Sequence, residues 1–210
     1  MNAESAGVGA VPTSPARIVL LRHGRTTANA SGLLLGRLDP PLDDFGLQQA
    51  EAAARSILDG ALGQIRTVVS SPLLRARQTA DALGLPVEVD ERFIEADYGE
   101  FDGKPITDVS PETWASWQSD PAFAPPGGES LLDVGNRVRS ACTDLAERAR
   151  NSGTILVVSH VSPIKAAVAW ALDIGDIHAW RTRLDTASIS LIDVDGPRPV
   201  LRGFNITSNS

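Results

Sequence analysis

Three short apolar runs decide what this chain can fold into: RIVLL (17–21), TVVS (67–70) and TILVVS (154–159). Each is rich in β-branched residues and too short for a buried helix, so each reads as a buried strand. Stretches of helical periodicity separate them. Leu47, Ala50, Ala54, Ile57 and Leu58 recur at helical spacing after an expected start near Asp43, and Gly60 closes that helix. Ser71-Pro72 offers a cap and a proline at the first helical position, for a helix running to about Leu83. Ser130 and Asp133 form a capping box ahead of a long helix lined by Leu131, Val134, Val138, Leu145 and Ala149. Pro163 to about Leu172 reads as a buried helix, stopped near Gly175. Strands that alternate with helices require a mostly parallel sheet covered on both faces. PVEV (86–89) adds a short strand. ASISLIDV, the turn at Asp195-Gly196-Pro197 and VLRGF read as a terminal hairpin that supplies an antiparallel edge. The expectation is an α/β three-layer sandwich.

Two segments break the alternation. Residues 1–15 are small, polar and Pro/Gly-containing, and read as a loose tail ahead of a single domain at 16–210. Residues 98–128 carry Trp114, Trp117, Phe123 and the cluster DPAFAPPGG, an excursion over one edge of the core with a short helix near 111–118. Trp114 and Trp117 lie three apart and share a helix face. The net charge of -7 argues against general binding to nucleic acid or to a membrane surface. No run approaches the ~18 apolar residues of a membrane span. One cysteine, Cys142 in an apolar stripe, excludes an intrachain disulfide and a multi-cysteine zinc site. With no secretory signal pattern, a cytoplasmic location is expected.

The chemistry gathers where the strands end. The first runs into Arg22-His23-Gly24. The second ends at Ser70-Ser71, with Arg75 on the first turn of the next helix. The third ends at Ser159-His160. If these strands are parallel neighbours, two histidines and two arginines meet at one rim, beside helix N-termini suited to an anion. Cations beside an imidazole keep it neutral, and a neutral imidazole is a nucleophile, a base or a metal ligand. The arginines indicate an anionic substrate. A metal would need at least three ligands at a recognisable spacing, and neither an H-x-x-x-H pair nor an H-E-x-x-H helix is present. The flanking arginines would also repel a divalent cation, so no metal and no cofactor are expected.

Arg22-His23-Gly24, with Thr26 and Asn29 behind it, resembles the signature of the histidine phosphatase superfamily, which includes cofactor-dependent phosphoglycerate mutase. The similarity continues through GRLDPPLDDFGLQQA (36–50), SSPLLRARQTA (70–80), FIEADYGEFDG (93–103), PPGGES (125–130) and VVSH (157–160). The resemblance implies a phosphoglycerate mutase-like fold and a metal-independent phosphomonoester hydrolase. His23 would attack phosphorus and become a phosphohistidine. Arg22, Arg75 and His160 would hold the phosphoryl oxygens, and Asn29 would add a neutral donor. Glu95 occupies the family's acid position. Pressed against a phosphate dianion it would hold a proton for the leaving alkoxide, then take one from the attacking water. Asp97, Glu100 and Asp102 are the rival acids, and read better as solvated loop charges. Thr26 either bonds the phosphate or caps the following turn. Arg25 is expected to be exposed, Arg37 to reach the substrate from its loop, and His178 to be structural or exposed.

Two departures from the family pattern stand out. Phe101-Asp102 replaces the usual tryptophan and glutamate. Val161 follows the second histidine where many members have glycine, a variant that resembles α-ribazole phosphatase-like proteins. Its bulk would narrow the pocket while its backbone N–H still points at phosphate. A phosphoglycerate mutase-type transfer is the alternative within the family, and a non-catalytic phosphate-ligand binder the alternative outside it. The short segment between Glu95 and the long helix, together with PPGGES, favours a phosphatase, which must admit water. The expected partner is a small-molecule phosphomonoester. Apolar residues of the terminal hairpin also suit a homodimer.

Overall fold

The computed structural model describes residues 15–207. Of the expected tail, residues 1–14 lie outside the described residues. Pro15 is fixed, because its carbonyl accepts a hydrogen bond from Thr154 Oγ1 at 3.2 Å. The strands are β1 (Arg17–Arg22), β2 (Ile65–Ser70), β3 (Val87–Val89), β4 (Thr154–Ser159), β5 (Ile189–Asp193) and β6 (Val200–Ile206), in the order β3-β2-β4-β1-β5-β6. The first four are parallel. β5 runs antiparallel to β1, and β6 antiparallel to β5, so the hairpin forms the expected edge.

The helices are α1 (Thr27–Ala30), α2 (Asp44–Leu58), α3 (Leu74–Asp81), α4 (Pro111–Ser119), α5 (Leu131–Ser152) and α6 (Val161–Leu172). Successive strand side chains point to opposite faces. Ile18, Leu20, Ile155 and Val157 therefore pack under α5 and α6, while Val19, Leu21, Leu156 and Val158 pack under α2 and α3. Every residue of β4 is buried, as a central parallel strand requires.

The structure corrects three helix readings, one buried face and two starting points. α2 buries Gly46, Ala50, Ala53, Ala54 and Ile57, whereas Leu47 and Leu58 are exposed. A face of small residues lets this helix lie close to the sheet, and the leucines flank that face. α3 begins at Leu74 rather than at Pro72. The Ser71 hydroxyl is engaged by His160 at 2.7 Å, and the cap comes from another loop, where Asp39 Oδ1 accepts from the Leu74 N–H at 2.7 Å. α6 begins at Val161, two residues ahead of Pro163, because proline is tolerated within a first turn. The capping box of Ser130 and Asp133 forms as the spacing predicts.

The excursion at 98–128 holds α4 and builds a small core of its own. Trp117 is buried with Leu34 and Val109, and Tyr98, Phe101, Trp114, Phe123 and Trp180 pack around it. Trp114 and Trp117 do share a face and stack, with centroids 5.5 Å apart.

The loop that leaves β1 nests against the first turn of α2. The Asp43 N–H donates to the Arg25 carbonyl at 3.0 Å. A Cβ on Gly46 would collide with the Arg25 carbonyl oxygen, and one on Gly24 with the Gly46 carbonyl oxygen. Neither obstacle is a flexible side chain, so the backbone itself must yield. Gly46→Ala is expected to cost about 1–3 kcal/mol in urea unfolding and to displace the residues after His23. Wild-type stability and wild-type turnover of a phosphate ester in that variant would refute the packing constraint.

Candidate active site

Strand register assembles the site. β1 pairs with β4 so that Arg22 lies opposite Ser159. The next residues in each chain are His23 and His160, and the His23 N–H donates to the Ser159 carbonyl at 2.9 Å. The two imidazoles lie 5.0 Å apart between centroids, tilted by 55°. On the other side of β4, the Ser71 N–H donates to the Val158 carbonyl at 3.0 Å, which starts α3 beside the histidines and brings in Arg75. The convergence expected of the three strand ends therefore occurs.

The hydrogen bonds fix what each ring presents. His23 Nδ1 lies 2.7 Å from the Gly24 carbonyl, which can only accept, so Nδ1 carries the proton and Nε2 keeps its lone pair. His160 Nε2 meets Ser71 Oγ at 2.7 Å. The Ser71 hydroxyl accepts from the Leu73 N–H at 3.4 Å and has this ring nitrogen as the one acceptor among its partners, so the tautomer that satisfies both groups has Ser71 donating to Nε2 and the ring proton on Nδ1. Both rings are buried. Burial pushes the His23 pKa well below its ordinary 6.5, and the Arg22 and Arg75 guanidiniums push it further. His160 is lowered for the same reasons: burial first, then Arg75, His23 and Arg22.

Three buried donors in this cluster have no hydrogen-bond partner: Arg22 Nε, Arg75 Nε and His160 Nδ1. Buried donors are nearly always satisfied within a fold, so three at one spot fit a ligand with several acceptor oxygens. The remaining bonds of these side chains serve to fix them. Arg22 Nη1 donates to the Leu184 carbonyl at 2.6 Å. Arg75 Nη1 and Nη2 donate to the Leu38 and Gly36 carbonyls, each at 2.8 Å. Burial lowers both guanidinium pKa values, with Glu95 opposing, yet arginine stays a cation in any working buffer.

Asp102 has a role that its sequence context did not reveal. It is not a solvated loop charge. Its Oδ1 accepts from the Gly36 N–H at 2.8 Å, and its Oδ2 accepts from the N–H groups of Arg37 and Leu38 at 2.8 and 2.9 Å. Gly36 and Leu38 are the residues whose carbonyls hold Arg75. The excursion thus sets the aim of a guanidinium through one short loop. Asp97 also binds backbone, accepting from the Gly99 N–H at 2.8 Å.

Glu95 is buried over the N-terminus of α6. Its Oε1 accepts from the Ala96 and Ser162 N–H groups at 2.8 and 3.1 Å, and its Oε2 from the Val161 N–H at 3.0 Å. This corrects the expectation for Val161. Its N–H does not point at the phosphate position, because the Glu95 carboxylate already uses it, and only its side chain lines the cleft. Arg137 of α5 braces the same loop, donating to the Arg92 and Ile94 carbonyls at 2.6 and 2.7 Å and pairing with Glu129 at 2.8 Å.

A cleft of about 440 Å³ opens over this cluster, with Arg22, His23 and Glu95 in its lining. Asn29 lines it too, although its Oδ1 is engaged by the N–H and hydroxyl of Thr26 at 3.1 and 3.0 Å. Thr26 itself is buried and caps α1, the local role of the two open to it. Arg37 is not brought to the cleft. It is exposed, and its guanidinium reaches Glu129 at 3.4 Å. Arg25 is half-buried at the cleft rim rather than free, pairing with Asp43 at 2.8 Å and lying 4.5 Å over the Phe45 ring. His178 is exposed. Trp180 and Asp185, which also line the cleft, carried no sequence signal, because they lie between elements with no periodicity to place them. Among the described residues no three His, Cys, Asp or Glu side chains cluster as a metal-ligating group, and no helix is long and apolar enough to cross a membrane.

Paired histidines, two buried arginines and an adjacent glutamate above parallel strand ends define a class of phosphoryl-handling α/β proteins. A family model for the histidine phosphatase superfamily (branch 1) matches residues 18–207, and the chain belongs to that superfamily. It is 40% identical over 187 residues to a bifunctional protein of Mycobacterium tuberculosis, covering 86% of this chain and 50% of that protein. It therefore spans about half the length of that relative. It is 33% identical over 199 residues to phosphoserine phosphatase 1 of Hydrogenobacter thermophilus, covering 91% and 92% of the two chains. A solved structure of a mycobacterial glucosyl-3-phosphoglycerate phosphatase with VO3 superposes with a TM-score of 0.82 at 30% identity, covering 91% of this chain and 99% of that one.

Two outcomes test this geometry. Asp102→Ala frees the loop that holds Arg75, so kcat/KM for a phosphate ester is expected to fall on the order of ten- to a hundred-fold. Combining it with Arg75→Ala should add little, because one change acts through the other; additive losses would separate the two residues. The second outcome concerns pH. The folded histidines stay neutral well below pH 6.5, while unfolded ones take up protons near it. The unfolded chain then binds more protons, so stability present above pH 6.5 is lost as pH falls below it. The slope reaches at most about 1.4 kcal/mol per histidine per pH unit. His160→Asn should shallow that slope in urea titrations; an unchanged slope would show that His160 is not the buried neutral group.

Proposed function

We propose that this chain is a metal-independent phosphomonoester hydrolase that works through a phosphohistidine on a small phosphorylated metabolite. One observation carries this reading: a buried imidazole with its Nε2 lone pair free, ringed by buried donors that lack partners. His23 Nε2 forms a bond to phosphorus as the ester P–O bond breaks. Arg22, Arg75 and His160 Nδ1–H bind the phosphoryl oxygens, and they are already in place as charge spreads over those oxygens. Glu95 gives its proton to the leaving alkoxide. The resulting carboxylate takes a proton from water as that water attacks the phosphohistidine, which releases inorganic phosphate and restores neutral His23. The low His23 pKa supports the first step, because attack needs the unprotonated nitrogen. The named phosphatases among the relatives favour hydrolysis over transfer between substrates. The single buried Cys142, whose thiol burial pushes up to about 12, is compatible with a reducing compartment, and a cytoplasmic location remains our reading.

Hydrolysis of para-nitrophenyl phosphate in the presence of EDTA tests this. Wild type is expected to turn over at a rate that EDTA leaves unchanged, and His23→Ala to lose on the order of a thousand-fold or more. Quenched wild type should carry an acid-labile, base-stable phosphoenzyme that His23→Ala lacks. Activity that disappears with EDTA and returns with a metal would overturn the mechanism.

A further inference from the structure

We propose that the leaving group this cleft selects is uncharged and carries a flat ring, which excludes esters bearing a second anionic group. This rests on the phosphatase reading and names the substrate class of the same site. The charges around the cleft are few. Arg22 is committed to the phosphoryl end, where its unpartnered Nε is buried. Arg25 on the rim already pairs through Nε with Asp43 at 2.8 Å and lies 4.5 Å over the Phe45 ring. Beyond them no further cation lines the cleft among the described residues; its two carboxyl groups are Glu95, the proton donor of the proposed reaction, and Asp185, itself paired with Arg183 at 2.9 Å. A phosphomonoester dianion therefore uses the two buried cations, Arg22 and Arg75. A carboxylate or second phosphate on the same substrate would lie against apolar walls with no unpaired cation beside it. Taking an unpaired anion out of water there is unfavourable.

The walls themselves favour a ring. Trp114 and Trp180 both line the cleft and meet edge to face, with centroids 5.6 Å apart. Trp180 Nε1–H is already bonded to the Trp117 carbonyl at 3.0 Å, so Trp180 offers the cleft an apolar surface and no free donor. Trp114 is backed by Trp117, stacked at 25°. Two indoles held from behind form a pre-set apolar corner, and Leu34 and Ile106 close it from the loop side. Phosphoserine and glucosyl-3-phosphoglycerate, the esters in the names of two of the relatives, both carry a carboxylate. This chain would differ from those relatives in substrate while sharing their chemistry.

Benzyl phosphate, 4-carboxybenzyl phosphate, glycerol phosphate, phosphoserine and 3-phosphoglycerate, assayed alongside para-nitrophenyl phosphate, separate these properties. Benzyl phosphate is expected to exceed its 4-carboxy analogue, phosphoserine and 3-phosphoglycerate by at least ten-fold in kcat/KM. Trp114→Ala should reduce the benzyl-to-glycerol phosphate ratio by five-fold or more, mainly through KM. A ratio within one variant is independent of how much of it is folded, and Trp114→Phe should restore it in part. Equal or better turnover of the carboxylated esters, with His23-dependent turnover of para-nitrophenyl phosphate intact, would overturn this inference alone. An unchanged ratio in Trp114→Ala would overturn the ring. No turnover of any ester would overturn both this inference and the phosphatase reading.

Discussion

The pairing of β1 with β4 governs the rest of the molecule. Its register sets Arg22 opposite Ser159, and one residue later two imidazoles stand side by side. Both strands are buried on both faces, so polar chemistry can emerge only where they end. Ile18 and Leu20 join one core and Val19 and Leu21 the other. Placing cationic and neutral basic groups together in a buried spot is unfavourable in isolation. Here the sheet and its helices enforce it, and the lowered pKa values of His23, His160, Arg22 and Arg75 record the strain.

Around this centre each functional side chain is held by backbone rather than by another side chain's charge. Arg75 is held by two carbonyls, Arg22 by one, His23 by the carbonyl of its neighbour and Glu95 by three amides. Backbone partners leave the charges unspent, so a substrate meets full cations instead of ion pairs that must first be broken. Arg25, at the rim, is paired with Asp43 at 2.8 Å, and Arg75 has only a longer ion contact, 3.8 Å to Asp39.

The strand ends were legible because chemistry and periodicity coincide there: a buried run ends abruptly in Arg-His-Gly or Ser-His, and both readings agree. Helix positions were legible where apolar spacing is strong, as in α5. They were less so in α2, where the buried face is alanine and the leucines are outside, because spacing alone cannot tell a close-packed small face from a large one. The cap of α3 was misplaced because its acceptor, Asp39, comes from a distant loop, and the nearer serine serves His160. Asp102, Trp180 and Asp185 were hidden for the same reason. Their roles depend on how loops fold over one another, which leaves no period in the sequence. The Val161 side chain lines the cleft as its place after His160 implies, but its N–H is taken by Glu95, a partner distant in sequence that local spacing does not reveal.

The sheet order carries a consequence for how such a chain comes to exist. β1 sits between β4 and β5, so this strand has no neighbour in the sheet until residues 154–193 follow. At roughly 5–20 residues per second, this apolar strand waits on the order of ten seconds or more on the ribosome. During that interval His23 and Arg22 belong to no pocket, and the nascent chain offers an unpaired edge to any sticky neighbour. The reactive centre is thus among the last things to form, and a ribosome that stalls midway releases an inert but aggregation-prone fragment rather than a half-active one.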